Sequence, residues 1–372
     1  MKIVYFIDHL RPEGTQKFLR QLVSGLATRG HQQTVLCLNN SWDEPVVRNL
    51  RDAGAEVRII GKLALGSGFG LVYYCLWLRN QQFDVAVTFL FVADVLGRTL
   101  AKMARIPRII SSLRARNINY AGWQRWLLRR TMPWANLVVI NSKHVRDFAI
   151  QEEGASPDKI QVISNSVDIK KYAISIEVES LRHELGIPAN SLVVGGVGRL
   201  TYQKGFDILI QAFALLSEID CYLLIIGEGE EKENLRLLSQ DLKVEDRVIL
   251  TDFRTDIPEM LHIIDFYVQP SRWEGMPNSL LEAMAAGRPI IASDIDGVRE
   301  LIDNEAHGWL IPPEDPLTLR NTIQKIMANH DDAQRCAYAA KSRVAREFDG
   351  DTMVVAWEKV LAQPMVTSKD EE

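Results

Sequence analysis

Cysteine is scarce in this chain of 372 residues, and its distribution excludes the sites that cysteine usually builds. The four cysteines show no metal-ligand spacing and have mostly apolar neighbours, which is typical of buried thiols. They are Cys37, Cys75, Cys221 and Cys336. The opening segment MKIVYFIDHL has an apolar run that is too short for a signal peptide and is followed too early by a charged residue. It predicts a first buried strand. We therefore expect a reducing, cytoplasmic location.

Long apolar runs and a strong excess of positive charge are also lacking. The membrane-like stretch from Leu63 to Leu78 has about 16 uncharged residues, whereas a spanning helix needs roughly 20. We expect this stretch to form a helix in the protein core. The net charge of -5 argues against a nucleic-acid binder that depends on electrostatics, so no nucleic-acid partner is expected.

Strands alternate with helices along the chain, which predicts parallel sheets and an α/β fold. The pattern becomes polar and irregular near residues 165–191 and restarts at LVVGGVGRL. We therefore predict two doubly wound domains, 1–170 and 171–350. Ligands of such sheets bind at the carboxyl ends of the strands.

A glycine-rich turn follows the first strand of the second half, in GGVGRLTYQKGF. Arg199 and Lys204 flank it, so two cations and loop amides converge where an anion would bind. A tight turn with two solvated bases is an equally good interpretation. The turn is not a Walker loop, because no Gly-Lys-Ser/Thr occurs. Thr201 stands where a dinucleotide fingerprint requires its third glycine, which disfavours a dehydrogenase.

A second stretch, SRWEGMPNSLLEAMAAGRPII, places two carboxylates eight residues apart. Glu274 lies in a loop just after the predicted strand FYVQP. Ser279 and Glu282 fit a capping box, with Gly287 ending the helix, so a purely structural role for Glu282 is one interpretation. The amides at the start of this helix form a place able to hold a phosphate.

These segments together closely resemble the retaining, nucleotide-sugar-dependent glycosyltransferases of GT-B fold, family four (glycosyl transferases group 1). The resemblance covers nearly the whole chain and is most specific between residues 195 and 313. It implies an α/β fold with two Rossmann-like domains facing a central cleft, the first for the acceptor and the second for the nucleotide sugar. It also implies that the last helix, about 351–364, returns to the first domain. The matching segments are Gly198-Arg199-Leu200, Gln203-Lys204-Gly205, Gly227-Glu228-Gly229, DFRTDIPEML and PSRWEGMPNSLLEAMAAGRPIIASDIDGVREL.

The resemblance implies a role for each matched position in the second half. Arg199 and Lys204 match the pair that holds the donor diphosphate, and Glu274 matches the acid at the transferred sugar. Glu282 matches the acid that holds the ribose hydroxyls. Three further residues match the helix start that meets the phosphates: Asn278, Ser279 and Leu280. Catalysis is assigned to Glu274, Arg199 and Lys204.

The resemblance implies no metal and no other cofactor, because the two cations do the work that a divalent ion does in other transferases. The pair Asp294 and Asp296 looks like the metal-binding acids of the other transferase fold. Here the two acids follow a strand and open the turn DGVRE, where acids are more often ordinary turn residues. We predict no metal site.

The first half departs from the family pattern. Of the glycine pair after the first strand only Gly14 carries over, because Glu13 precedes it. The family's usual histidine position reads ISSLRARN, which gives Arg114, Arg116 and Asn117 as candidate acceptor-binding residues. Direct assistance by a histidine is therefore not expected.

The implied reaction is hexosyl transfer from a nucleoside diphosphate sugar, UDP-linked by family frequency, to an acceptor hydroxyl with retention. The segment RARNINYAGWQRWLLRRTMPW mixes arginines with aromatics, which suits an anionic membrane surface. A surface helix whose aromatics face the core is about equally consistent. We expect a peripheral protein of the cytoplasmic leaflet with a lipid-linked or polysaccharide-precursor acceptor. A nucleotide-sugar 2-epimerase and a non-catalytic sugar-nucleotide-binding subunit are the alternatives.

Overall fold

The structure, a computed structural model, describes residues 1–61, 68–114, 120–174, 176–216 and 219–363. It contains two compact units, Met1–Asn165 with the segment from Gly350, and Ser166–Asp349. The first unit ends before the expected boundary at residue 170. The amide of Val167 donates to the carbonyl of Phe348 at 3.0 Å, and Tyr172 is buried in a core of the second unit. These contacts assign the residues after 165 to the second unit.

The first unit is built on a seven-stranded parallel sheet in the order β3-β2-β1-β4-β5-β6-β7. Its strands are β1 Lys2–Ile7, β2 Gln32–Cys37, β3 Ala55–Ile59, β4 Val85–Phe89, β5 Arg108–Leu113, β6 Leu137–Ile140 and β7 Ile160–Val162. Its helices are α1 Gly14–Ala27, α2 Glu44–Asp52, α3 Gly68–Gln81, α4 Arg98–Met103, α5 Gly122–Thr131, α6 Val145–Gln151 and the C-terminal α15 Gly350–Ala362.

The second unit is built on a six-stranded parallel sheet in the order β10-β9-β8-β11-β12-β13. Its strands are β8 Leu192–Val197, β9 Cys221–Ile226, β10 Val248–Thr251, β11 Phe266–Gln269, β12 Ile290–Ser293 and β13 Trp309–Ile311. Its helices are α7 Val178–Glu184, α8 Phe206–Ala214, α9 Lys232–Asp241, α10 Ile257–Ile263, α11 Asn278–Ala285, α12 Asp296–Arg299, α13 Pro316–Met327 and α14 His330–Glu347.

Two doubly wound parallel sheets confirm the predicted fold class. Both sheets have apolar clusters on both faces, because crossover helices cover each side of a parallel sheet. The large apolar side chains of α1 are buried inside the first unit: Phe18, Leu19, Leu22, Val23 and Leu26. Sequence analysis missed β7 and β13, which have three residues each and show no alternation of their own.

Helix α15 lies in the first unit and packs on α1. Trp357 is completely buried, and its ring lies 5.9 Å from that of Phe18. At the surface, Arg29 donates to Glu358 at 2.7 Å. The chain therefore leaves the first unit after β7 and comes back to it with its last described helix.

Helix α3 differs from its prediction as a core helix. One side of it packs against the sheet, with Leu78 completely buried, but Phe69, Val72, Tyr73 and Leu76 are exposed. An apolar run marks a helix as buried only where a second layer covers its outer side. No helix in the described part of the chain is long and apolar enough to cross a membrane.

The helical segment after β4 begins as a π-helix, Ala93–Gly97, and continues as α4. This irregular turn buries an ion pair, in which Arg98 Nη2 lies 3.0 Å from Asp94 Oδ1. Arg98 also donates to Ser111 Oγ of β5 at 2.7 Å and to the carbonyl of Leu128 in α5 at 3.3 Å. One completely buried guanidinium thus connects α4, the sheet and α5.

We predict that Arg98→Met lowers the free energy of unfolding by about 3 to 5 kcal/mol, because the carboxylate of Asp94 stays buried without its counter-charge. Urea denaturation followed by circular dichroism measures the loss. The matched control is Lys102→Met, an exposed cation one turn further along α4, which should change stability by about 0.5 kcal/mol or less. A loss below about 1 kcal/mol for Arg98→Met would contradict the structural role.

Candidate functional site

Three predicted site residues of the second unit lie in the loops that follow β8 and β11, and the other four lie in α11, which follows the second of these loops. The two strands are neighbours in the sheet, although about 70 residues separate them in sequence. Loop 198–205 follows β8 and carries Arg199 and Lys204, and loop 270–277 follows β11 and carries Glu274. Adjacent carboxyl ends of parallel strands bring the two loops side by side.

Backbone contacts hold the two loops together. The amide of Arg272 donates to the carbonyl of Gln203 at 2.8 Å, and the side chain of Gln203 donates to the carbonyl of Trp273, also at 2.8 Å. Gly205 has a left-handed conformation (φ 65°), and a Cβ atom there would lie 2.1 Å from the carbonyl oxygen of Pro270. Only glycine permits this approach without moving the backbone.

Lys204 and Glu274 form an almost buried ion pair, with Nζ and Oε1 2.5 Å apart. The same carboxylate oxygen accepts from Ser271 Oγ at 2.8 Å and from Gln269 Nε2 at 3.3 Å. Charge-assisted hydrogen bonds of this kind fix a carboxylate in one orientation. The structure therefore joins two predicted site residues into a single polar unit, which sequence reasoning did not foresee.

Buried Gln269 links this ion pair to the start of α11. Its Oε1 accepts from Tyr267 Oη at 2.7 Å and from Ser279 Oγ at 3.1 Å, while its Nε2 donates to Ser271 Oγ at 2.8 Å. Gln269 is the last residue of the strand FYVQ. A polar residue at the end of a buried strand was the signal in the sequence that could have identified it. Sequence reasoning missed both Gln269 and Ser271.

Arg272 fixes the position of loop 270–277 from its outer side. Its two terminal nitrogens donate to the two carboxylate oxygens of Asp207 in α8 at 2.9 and 2.7 Å. The guanidinium also lies over the ring of Tyr202, 3.8 Å from its centroid. The hydrogen bond with Asp207 raises the pKa of Arg272 above its ordinary value. This side chain therefore braces the loop and is not directed at a ligand.

The N-cap of α11 lies two residues before Ser279, so the interpretation of Ser279 and Glu282 as a capping box is wrong. The N-cap residue is Pro277, which has an extended conformation, and no side chain caps the helix. Ser279 lies inside the first turn and donates to Gln269. Asn278, Ser279 and Leu280 are the first three helical residues, so their amides are at the helix start as predicted.

Glu282 is buried and lies close to Tyr172, a residue that sequence reasoning overlooked. Tyr172 ends a 3₁₀ helix, Ile169–Tyr172, that packs against α11. Burial, followed by the charge of Glu282 and a hydrogen bond with it, raises the pKa of Tyr172. A carboxylate that accepts from a buried phenol has a fixed direction, so Glu282 has a structural partner outside any helix cap.

Arg199 is exposed in the same loop as Lys204. The loop is also tied to the one after β9, because the amide of Leu200 donates to the carbonyl of Glu228 at 2.8 Å. The amide of Glu231 donates back to the carbonyl of Leu200 at 2.9 Å. The backbone on either side of Arg199 is therefore held by β8 and β9 together.

The pair Asp294 and Asp296 has a local explanation. Asp294 accepts two hydrogen bonds from Arg299, at 2.6 and 2.9 Å, and this guanidinium lowers the pKa of Asp294. Asp296 is the first residue of α12. Within the ranges that the structure describes, no group of three or more His, Cys, Asp or Glu side chains could hold a metal ion.

In the first unit, Gly14 is the first residue of α1 and Arg114 follows β5. The guanidinium of Arg114 lies over the ring of Phe18, 3.6 Å from its centroid, and donates to Asn165. Burial lowers the pKa of Arg114 to about 9. The other two predicted acceptor residues, Arg116 and Asn117, lie outside the described residues.

Two family models match the chain. The model "Glycosyl transferases group 1" matches residues 177–343, and the model "Glycosyltransferase Family 4" matches residues 12–171. Together they match most of both structural units in order, and every predicted site residue of the second unit falls inside the first of them.

Relatives with described activities are similar over more than half of the chain. The UDP-Gal:alpha-D-GlcNAc-diphosphoundecaprenol alpha-1,3-galactosyltransferase of Escherichia coli is 30% identical over 264 residues, which are 67% of this chain and 67% of that protein. The N-acetylgalactosamine-N,N'-diacetylbacillosaminyl-diphospho-undecaprenol 4-alpha-N-acetylgalactosaminyltransferase of Campylobacter jejuni is 28% identical over 227 residues, 60% of each chain.

Solved structures share the fold. The crystal structure of Anabaena Alr3699/HepE in complex with UDP and glucose has a TM-score of 0.86 at 24% identity, over 98% of this chain and 100% of that one. A glycosyltransferase from Rickettsia africae has a TM-score of 0.84 at 18% identity, over 97% of each chain. These similarities confirm the expected GT-B fold with its two Rossmann-like domains. With both family models in order along the chain and a relative at 30% identity over 67% of its length, the protein belongs to the group 1 glycosyltransferases and is a glycosyl-transferring enzyme.

Proposed function

We propose that this enzyme transfers a hexosyl group from a UDP-sugar to a hydroxyl of a lipid-diphosphate-linked glycan, with retention of the anomeric configuration. The observation that carries the proposal is the Lys204–Glu274 ion pair at the carboxyl ends of β8 and β11. The donor is supported by the Anabaena structure with UDP and glucose. The acceptor is supported by the two relatives that act on diphosphoundecaprenol-linked sugars.

The ion pair offers both kinds of polar contact that a nucleotide sugar requires. A hydroxyl of the transferred sugar can donate to Glu274, and a phosphate oxygen can accept from Lys204. Because Ser271 and Gln269 hold the carboxylate, it is oriented before the donor arrives. Preorganised polar groups of this kind stabilise a transition state without having to rearrange during the reaction.

Departure of UDP increases the negative charge on the β-phosphate. Arg199, Lys204 and the amides at the start of α11 are the groups proposed to stabilise this charge. They take the part that a divalent cation plays in other transferases, so we propose no metal and no other cofactor. The bond between the anomeric carbon and the phosphate oxygen breaks as the acceptor oxygen bonds to the same face of the sugar. The departing phosphate takes the acceptor's proton.

Glu282 is assigned to the ribose hydroxyls, with Tyr172 holding the carboxylate from the other side. Gly14 is proposed as a further donor contact, and the first unit is proposed to bind the acceptor. There Arg114 is a candidate, because its Nη1 makes no hydrogen bond within the described residues. We place the reaction in the cytoplasm, at the inner face of the membrane that carries the acceptor.

The assignment of the reaction is tested by product analysis. We expect incubation with UDP-sugar and a diphosphate-linked acceptor to give a longer glycan and free UDP. A changed free UDP-sugar formed from donor alone would instead indicate an epimerase, and no turnover with any acceptor would indicate a binding subunit. A thermal-shift panel of UDP- and GDP-sugars identifies the base, because a ligand at a hundred times its dissociation constant stabilises by about 2.7 kcal/mol.

We predict that Glu274→Gln lowers kcat at least about a hundredfold, because the neutral side chain no longer faces the positive charge that develops on the sugar ring. The affinity for UDP, measured by calorimetry, should change by less than about threefold, since UDP lacks the transferred sugar. Glu314→Gln is the matched control, an exposed acid that contacts Arg272 on the outer side of the same loop. A Glu274→Gln enzyme with nearly normal turnover would refute the assignment.

We predict that Glu282→Gln weakens UDP binding by about 1.5 to 3 kcal/mol, because a charge-assisted hydrogen bond to ribose is lost. Tyr172→Phe, which removes only the phenol oxygen, should weaken it by about 0.5 to 1.5 kcal/mol. Both losses should shrink when 2′-deoxy-UDP replaces UDP in the same calorimetric measurement. Equal losses for the two nucleotides would show that these residues act on folding and not on the ribose.

A further inference from the structure

The outer side of α3 is an uncovered apolar surface. Four large side chains at the spacing i, i+3, i+4 and i+7 form one stripe, of which Phe69 is 92% exposed and the other three are 54–60% exposed. The other three are Val72, Tyr73 and Leu76. A stripe of this size on a soluble protein is usually a contact surface.

Helix α5 adds two tryptophans to the same layer of helices. Trp123 and Trp126 are 62% and 63% exposed, so the sequence-based alternative that the aromatics of this helix face the core is wrong for both. Trp123 is held by an edge-on contact with Phe91, the ring centroids being 5.8 Å apart. Both side chains lie in the first half of α5 and point outward.

The helices α3, α4 and α5 lie on one face of the seven-stranded sheet, beside α6. Their crossovers run from β3 to β4, from β4 to β5 and from β5 to β6, all in the same direction across the sheet. Right-handed crossovers in one direction place their helices on one face. Helix α4 packs against α3 and against the turn Met132–Trp134 that ends α5, so it lies between them. The outer surface of these three helices is called the α3–α5 face below.

The α3–α5 face is basic although the chain as a whole is acidic. The three helices contain no Asp or Glu, while the net charge of the chain is -5. The face has five exposed or half-buried cations: Arg79, Lys102, Arg125, Arg129 and Arg130. Arg125 also pairs with the carboxylate of Glu152, at 3.1 Å. An apolar stripe flanked by cations with exposed tryptophans suits the boundary of an anionic bilayer.

We propose that the α3–α5 face docks on an anionic lipid bilayer, with Phe69, Leu76 and the two tryptophans inserted among the headgroups. Charge complementarity selects this occupant. A second copy of the chain would bring five cations against five like charges across a two-fold interface. The proposal extends the proposed reaction, because it concerns a surface of the first unit that is separate from the donor site.

Vesicle flotation of the full chain tests the proposal. Vesicles containing about one third phosphatidylglycerol should float the protein, whereas pure phosphatidylcholine vesicles should not. Raising the ionic strength from about 0.1 M to about 1 M, which shortens the screening length from about 10 Å to about 3 Å, should release most of it. Tryptophan emission should shift to shorter wavelength on binding, and the shift should be lost in Trp123→Ser/Trp126→Ser.

Two variants separate the apolar and the electrostatic parts of binding. Phe69→Ser/Leu76→Ser should lower the vesicle partition coefficient at least about tenfold, because two large side chains lose their insertion. Lys102→Gln/Arg130→Gln should lower the vesicle partition coefficient at least about tenfold, because each cation near an anionic surface strengthens binding roughly fivefold. The matched control is Leu317→Ser/Tyr338→Ser in the second unit, whose side chains are 57% and 76% exposed, and it should float like the unchanged protein.

Turnover of a soluble acceptor analogue keeps this proposal separate from the proposed reaction. Phe69→Ser/Leu76→Ser should retain normal turnover with that analogue while losing vesicle binding. Equal flotation of this variant and the unchanged protein would overturn the docking surface. Sedimentation analysis would also overturn it by showing that the unchanged protein is a dimer and the variant is a monomer. The face would then bind a second copy of the chain.

Discussion

The contact between the loops after β8 and β11 is the constraint on which the candidate site depends. Lys204 and Glu274 can form their ion pair only because the two loop backbones touch, and they touch only because Gly205 has no Cβ atom. The backbone bond from Arg272 to Gln203 then fixes the register of one loop against the other. A cation and a carboxylate so placed can serve a phosphate and a sugar a few ångströms apart.

The buried polar residues behind the ion pair explain why it can be almost desolvated. Removing charges from water is costly unless hydrogen bonds satisfy the remaining lone pairs. Gln269 and Ser271 supply those bonds, and Gln269 also accepts a hydrogen bond from Ser279 at the start of α11. The side chains proposed to contact the donor and the helix start proposed to contact its phosphates therefore belong to a single hydrogen-bonded network.

The first unit uses a buried charge for a different purpose. Arg98 ties the π-helical turn, β5 and α5 together from inside, whereas the two tryptophans of α5 are exposed on its outer side. On α3 the same division appears, with Leu78 inside and Phe69 outside. The inner sides of these helices stabilise the unit, which leaves their outer sides available for contact with a surface.

The sequence by itself determined the fold class, the family and the loops that carry the site. Alternating strands and helices leave little choice but parallel sheets, and the segments around Arg199, Lys204, Glu274 and Glu282 are local in the chain. Three-residue strands such as β7 and β13 carry too few side chains to show a pattern. The capping box was also wrong, because Pro277 is the N-cap residue and Ser279 donates instead to Gln269 of β11.

Only the tertiary structure decided which of these residues meet and which apolar side chains stay exposed. Lys204 and Glu274 are 70 residues apart, and their pairing follows from the order of β8 and β11 in the sheet. Tyr172 lies beside Glu282 because the 3₁₀ helix that it ends packs against α11. Helix α3 is apolar on two sides, but a helix covers a sheet with only one of them. Local sequence records how apolar a segment is, whereas the packing of the layers decides which side is covered.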